Sequence, residues 1–169
     1  GMNVEPVLWN EPEVFPLGVY TWDALIDLSE NVDAAIFIFG EDDQIWFRGE
    51  STMTVRDNVL LEYGLFSGKL SKANTIFLCD GRPKLASDLE GITWGDIRKK
   101  NSVRIKLENW INSIRASNQK KVKGFKITDL NDAFQIALKN QKTEKLRIFA
   151  ISTFKSVQML RLINDISIN

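Results

Sequence analysis

Ala34-Ala35-Ile36-Phe37-Ile38-Phe39 is an unbroken apolar run that passes straight into Gly40-Glu41-Asp42-Asp43. A strand covered on one face alternates apolar and polar side chains. A run without alternation, closed by a glycine and acids, reads as a strand buried on both faces. Thr75 to Cys79 repeats the pattern and stops at Asp80-Gly81-Arg82-Pro83. Between the two runs, Val59, Tyr63, Phe66 and Leu70 fall on one stripe at about 100° per residue, the mark of a helix with a buried face. Tyr20 to Asn31 reads as a helix as well, with Thr21 placed to cap it, Leu25, Leu28 and Val32 inward, and Trp22 and Ile26 alongside. Val4 to Trp9 alternates weakly and carries Pro6, which suits a short strand before the turn-rich segment from Asn10 to Gly18. The order is strand, helix, strand, helix, strand. It predicts an α/β fold with a parallel sheet and helices on both faces, whose ligands bind beyond the carboxyl ends of the strands at a topological switch.

Beyond the second buried run, Gly91 to Ile97 reads as a shorter edge strand and Val103 to Ile114 as a helix with Ile105, Trp110 and Ile114 among its apolar positions. Arg115 to Lys126 is basic and polar and reads as a linker. Thr128 to Asn140 restarts a helix through Leu130, Phe134, Ala137 and Leu138. Lys145 to Ile151 then reads as a strand, Ser152-Thr153 as a turn, and Phe154 to Ile166 as a helix with Val157, Leu160 and Ile163 facing in. The expected organisation is a nucleotide-binding domain over residues 2–114, a linker and helix over 115–144, and a strand-helix unit over 145–169. A parallel sheet built from the early strands alone needs another central strand before Val4. No segment there supplies it.

With 44% hydrophobic and 26% charged residues in 169, the chain can bury a sizeable core. Lys plus Arg equals Asp plus Glu at 22 each, so no global attraction to nucleic acid or an anionic membrane is expected. Cys79 is the lone cysteine, which excludes an internal disulfide and a cysteine zinc site and fits a reducing cytoplasm. Histidine is absent. Ser/His and Cys/His catalytic pairs are therefore excluded, and acid-base work falls to carboxylates, Lys, Tyr or water. No apolar run approaches a membrane span and no signal peptide is seen. Phosphate-loop, kinase and dinucleotide-oxidoreductase signatures are missing too.

One charged residue stands out on the helix between the buried runs. Glu62 lies about 60° from the centre of its apolar stripe, with Asn58 and Lys69 nearby, so it borders the buried face. Thr54 with Asp57 three residues on has the form of a capping box, which would begin the helix where Arg56, Asp57 and Asn58 cluster. Gly64 and Gly68 on the opposite side leave room for another backbone to pack closely. If the sheet is parallel, Arg56-Asp57-Asn58 and Glu62 come near the Gly40 to Asp43 loop and form a nucleotide-sized site. A carboxylate there could accept hydrogen bonds from ribose hydroxyls and stabilise the positive charge that develops as an N-glycosidic bond breaks. It could instead attack the anomeric carbon itself. Burial would raise the Glu62 pKa, whereas Arg56 or Lys69 beside it would lower it. Asp42 and Asp43 alone make no hard-cation site, and no metal is expected. Of Trp9, Trp46 and Trp94, Trp46 is the candidate for stacking on a base.

Leu8-Trp9-Asn10-Glu11, Val14-Phe15, the strand into Gly40-Glu41-Asp42-Asp43, Arg48-Gly49-Glu50, and Arg56-Asp57-Asn58-Val59 through Glu62-Tyr63-Gly64-Leu65-Phe66 resemble the bacterial TIR-like predicted nucleotide-binding family, which includes TIR domains of cyclic-oligonucleotide anti-phage systems. The resemblance covers Val4 to Ile97. It implies a flavodoxin-like sheet and, in active members, hydrolysis of NAD, as substrate rather than cofactor, to nicotinamide and an ADP-ribose product. It also implies self-association into homo-oligomers, often driven by a fused sensor of a signalling nucleotide. The family's catalytic Glu matches Glu62, with Arg56, Asp57, Asn58, Asp42, Asp43, Trp46, Ser152 and Thr153 as candidate substrate-binding residues. Members normally begin with a strand, a Ser-rich loop and a helix that have no counterpart before Val4. Leu146 to Thr153 followed by Phe154 to Ile166 has the form of that unit. Either it takes the vacant first-strand place, in its own chain as a circular permutation or in a partner by exchange, or it begins a truncated second domain of phospholipase-D-like type. A nucleoside deoxyribosyltransferase-like enzyme with Glu62 as nucleophile, and a non-catalytic nucleotide-sensing or interaction module, are the alternatives to NAD hydrolysis.

Overall fold

The computed structural model describes residues 4–11, 14–15, 18, 20–90, 92, 95–123 and 146–151. In chain order the elements are β1 (Val4–Leu8), α1 (Thr21–Asn31), β2 (Ala34–Gly40), β3 (Asp43–Phe47), β4 (Glu50–Thr54), α2 (Asp57–Leu70), β5 (Thr75–Asp80), α3 (Ser87–Glu90), β6 (Gly95–Asp96), α4 (Lys100–Lys123) and β7 (Leu146–Ile151). Five strands form one sheet in the order β1-β7-β2-β5-β6, every pair parallel. Counting β7 as the first strand, this is the flavodoxin-like order 2-1-3-4-5.

β7 thus fills the gap left by the early strands. β7 pairs with β1 from Val4↔Leu146 to Leu8↔Ala150 and with β2 from Ala34↔Ile148 to Phe37↔Ile151. Its N-terminal end is held through one residue in particular, Arg147. The Arg147 backbone N–H donates to Asp33 Oδ2 at 2.9 Å, its guanidinium donates to the Asn31 carbonyl at 2.7 Å, and Nε lies 3.6 Å from Glu5 Oε1. The turn at Ser152-Thr153 and the helices expected over Thr128–Asn140 and Phe154–Ile166 lie outside the described residues.

Because the central strands are buried on both faces, their side chains build two cores. Ala35, Phe37, Phe39, Phe77, Phe149 and Ile151 face Leu25 of α1 and Val59, Tyr63 and Phe66 of α2. Ala34, Ile36, Ile38, Leu78, Ile148 and Ala150 face Val103, Leu107, Ile111 and Ile114 of α4. Alternation along each strand assigns the faces. The open edge at β1 is blunted. Its even-numbered residues direct their backbone groups away from β7, and there Pro6 has no N–H to offer while the Leu8 N–H donates to Glu11 Oε2 at 3.2 Å.

Several local expectations are corrected. Gly40 to Glu50 is no simple loop, because Asp43–Phe47 and Glu50–Thr54 pair antiparallel around Arg48 (φ 51°) and Gly49 (φ 87°). Positive φ at both central residues marks the turn that matches hairpin twist. Thr54 ends β4 and donates its hydroxyl to the Lys84 carbonyl at 3.0 Å, so it does not cap α2. The N-cap of α2 is Arg56 and that of α1 is Tyr20, neither with a side-chain capping bond, and Thr21 is the first helical residue. The expected linker from Arg115 is helical as far as Lys123, since α4 runs on in one piece. Ile105 is exposed on its outer face. Of the strand expected over Gly91–Ile97, Gly95–Asp96 pairs with β5, while residues 91, 93 and 94 lie outside the described residues. Nothing lies within 4 Å of a Cβ built on Gly64 or Gly68, so no backbone among the described residues uses the room they leave.

Candidate functional site

Parallel strands joined by a helix force that helix to run back along the sheet, so the N-terminal turns of α2 stand over the carboxyl ends of the strands. Three contacts fix its rotation. Tyr63 meets Phe37, Phe39 and Phe77 edge-on at 5.6, 5.5 and 5.6 Å between ring centroids. Phe66 stacks on Phe149 of β7 at 5.0 Å and 18°. On the same flank, Lys69 Nζ lies 3.0 Å from Glu30 Oε1 of α1. Glu62 is four residues before Phe66 and seven before Lys69, so it shares the flank turned toward α1 and β7. The step from Phe66 back to Glu62 is about 6 Å along a helix. From Phe149 to Ile151 it is about 6.6 Å along a strand, so Glu62 stands level with the end of β7, at the switch between β7 and β2.

The Glu62 carboxyl is half-buried there, and its Oε2 is enclosed without a hydrogen-bond partner. Burial raises its pKa from the ordinary 4.5 to about 7. Neither of the cations considered for it is engaged with it: Lys69 pairs with Glu30, and Arg56 Nε approaches Asp43 Oδ1 at 4.0 Å. A desolvated carboxylate without a counter-ion is poised to meet a positive charge brought by a ligand.

The remaining candidates are distributed around this point. Asp57 and Asn58 are exposed in the first turn of α2, directly after Arg56. Asp43 begins β3 and joins Arg56 across the mouth of the site. Asp42 folds back so that its Oδ2 would be 2.8 Å from a Cβ on Gly40, and this oxygen too is buried without a partner. By the alternation of β2, Gly40 shares the side of Ile36 and Ile38, which puts the Asp42 carboxyl toward α4, on the opposite face from Glu62. Trp46 is held outward in the middle of β3. Ser152 and Thr153 lie outside the described residues, as does Trp94, and Trp9, just past the end of β1, packs against the core on the face that carries α2. Among the described residues, no three of His, Cys, Asp and Glu gather as metal ligands.

One residue on the crest is not among the site candidates expected from the sequence. Glu41 Oε1 accepts the Arg82 N–H at 2.8 Å and lies over Gly81, where a Cβ would come within 2.7 Å of its carboxyl carbon. It ties the end of β2 to the loop after β5. Its signal was Gly81, whose φ of 94° and bare Cα admit the carboxylate. Farther along, Arg98 forks onto Asp96 through two 2.8 Å bonds, and that side-chain pairing holds the Asp96 carboxyl down at about 2.

Residues 1–99 match the family described as CAP12/Pycsar effector protein, TIR domain. The chain belongs to this family. Its TIR domains come from cyclic-nucleotide anti-phage systems. Similar proteins include CD-NTase-associated protein 12 of Niabella drilacis, 36% identical over 54% of this chain and 30% of that protein. CD-NTase-associated protein 12 of Sphingobacterium faecium is 32% identical over 68% of this chain and 35% of that protein. The Pycsar effector protein PaPycTIR of Pseudomonas aeruginosa is 41% identical over 47% of this chain and 27% of that protein. The chain thus spans about a third of the length of the relatives it matches. The matched TIR region holds β1 to β6, whereas β7, which completes the sheet beneath Glu62, lies after it. No helix among the described residues is long and apolar enough to cross a membrane.

Proposed function

We propose that this TIR domain is an NAD glycohydrolase of anti-phage defence, acting in the cytoplasm, with Glu62 as its essential carboxylate. The observation that carries the reading is the enclosed, unpartnered Glu62 oxygen at the sheet's switch point, without a cation of its own. NAD brings a cationic nicotinamide ring attached to the anomeric carbon of a ribose. As that bond breaks, its electron pair goes to the ring nitrogen, nicotinamide leaves neutral, and positive charge passes to the sugar. Glu62, once ionised, lies in a site of low polarity where its attraction for that charge is strong. Water then attacks the anomeric carbon and loses a proton, giving ADP-ribose. The mechanism asks for no histidine, and the chain has none. Arg56 at the head of α2, with the exposed Asp57 and Asn58, shapes the entrance.

The test is nicotinamide release from NAD by concentrated protein, compared with Glu62→Gln and Glu62→Ala. Both substitutions should lower the rate by about 100-fold or more, the scale seen when one aimed electrostatic group is lost. The wild-type rate should rise with pH through about 7 as Glu62 ionises. Turnover that survives both substitutions removes Glu62 from the reaction. A rate that falls across that range makes Glu62 a proton donor instead.

A further inference from the structure

Trp22 is turned inward on its helix and yet is not covered. At about 100° per residue it comes within about 20° of the bearing of Ser29, seven residues later. Ser29 is 2% exposed, whereas Trp22 is 44% exposed. An indole on a buried bearing that still meets solvent borders open space, and here that space is at the first turn of α1. Because α1 joins the parallel strands β1 and β2, this turn stands over the carboxyl ends of the strands, as the first turns of α2 do.

The ion pair between Lys69 and Glu30 fixes how α1 and α2 lie side by side. Counting back from it, Glu62 is seven residues, about 10.5 Å, up α2, and Trp22 eight residues, about 12 Å, up α1. The two therefore come level across the groove between the helices. Both lean toward the crest, since helical side chains tilt to the N-terminus. Glu62 is on the flank of α2 that faces α1. Trp22 falls between the bearings of Ser29 and Glu30, hence between the core and α2. Asp23, within about 20° of the Glu30 bearing, adds a carboxylate at the outer lip. Lys69, on the same flank of α2, is held by Glu30 at the far end. An indole face and two carboxylates thus share the head of one groove.

We propose that Trp22 is the platform on which the cationic pyridinium ring of the substrate stacks, with the bond to be broken held over Glu62. The platform rests on the glycohydrolase reading of Glu62 and adds which end of NAD enters the groove. Of the aromatic side chains, tryptophan attracts a cation to its face most strongly. That attraction is for the charge, so it fades as charge passes to the sugar, and neutral nicotinamide is held less firmly. NADH carries an uncharged ring at the same place and gains nothing from it. Trp22 therefore selects the oxidised dinucleotide, the form whose bond can break. Trp46 is on the hairpin anchored at the β5 side by the Lys84 N–H to the Met53 carbonyl at 2.8 Å, away from this groove.

The experiment titrates the full chain with the N-methyl cation of nicotinamide, which has no sugar to lose, and with neutral nicotinamide. Indole N–H signals are followed by NMR, and Trp22→Phe assigns that of Trp22. The cation should shift the Trp22 signal and bind more tightly than neutral nicotinamide. Trp22→Ala should lower this preference at least about threefold, and Trp22→Phe should keep part of it. In turnover, Trp22→Ala should raise KM for NAD without lowering kcat, because the contact is stronger to bound NAD than to the transition state. A Trp22 signal that does not move, or a preference for the cation that survives in Trp22→Ala, overturns the proposal. Turnover that depends on Glu62 with an unchanged KM in Trp22→Ala overturns the platform alone. A chain that binds the cation at Trp22 but releases no nicotinamide from NAD keeps the platform and removes the glycohydrolase reading.

Discussion

Glu62→Gln should make the protein more stable at neutral and alkaline pH. In the folded chain burial holds the Glu62 carboxyl at about 7, against an ordinary 4.5. A difference of that size corresponds to about 3.4 kcal/mol of preference for the neutral form. Glu62 is only half-buried, so water screens part of this, and about 1–2 kcal/mol is the expected effect. Between about pH 4.5 and 7 the unfolded chain has released a proton that the folded chain still holds. Unfolding is therefore favoured as pH rises through that window, and above it the loss is complete. Glutamine keeps the shape and does not titrate. Urea unfolding of both proteins, followed by tryptophan fluorescence from pH 4 to pH 9, isolates the group as the difference between two curves. The two should agree near pH 4 and diverge to about 1–2 kcal/mol by pH 8.5, or about 2–8 °C in melting temperature. A difference that stays flat, or in which wild type gains on the variant as pH rises, would show that Glu62 is solvated or paired, and the reasoning about its chemistry would go with it.

Gly64→Ala and Gly68→Ala should each stabilise the monomer by about 0.5–1 kcal/mol, because both lie inside α2 with open space where a Cβ would go. A loss of stability in the same urea titration would mean that something packs against that face. Phe149→Ala should cost about 3–5 kcal/mol, since its ring is fully buried and stacked on Phe66. A cost below about 1 kcal/mol would mean that β7 does not occupy the middle of the sheet in solution.

What the sequence showed depended on how each segment meets water. β2 and β5 were legible because burial on both faces removes polar residues from the whole run. The hairpin was not, because both its faces are largely exposed and no alternation develops, and Arg48-Gly49 is an unusual pair for its turn. The far end of α4 was missed for the same cause. Polar residues beyond the last buried turn look like a linker whether or not they are helical. The capping expectation failed because the Thr54 hydroxyl is claimed by the Lys84 carbonyl, 30 residues away, a competition no local pattern records. For Glu62 the angle on the helix gave its position at the border of the core. Its lack of a counter-ion was hidden, since Lys69 is taken by Glu30, 39 residues earlier on another helix.

The place of β7 governs how any experiment on the site must be read. The strand is hydrogen-bonded on both sides, its Phe149 supports Phe66 of α2, and its last residue stands level with Glu62. Fold and site therefore share one strand, and a substitution in β7 that abolishes activity would show no more than that the sheet needs its centre. Glu62 differs in the sign of its effect. Most substitutions lower activity and stability together, whereas removing a buried, unpaired charge should lower the first and raise the second. A Glu62→Gln protein that is inactive but more stable than wild type above pH 7 cannot owe its inactivity to unfolding. That opposition of sign is the strongest available separation of a chemical role for Glu62 from a structural one.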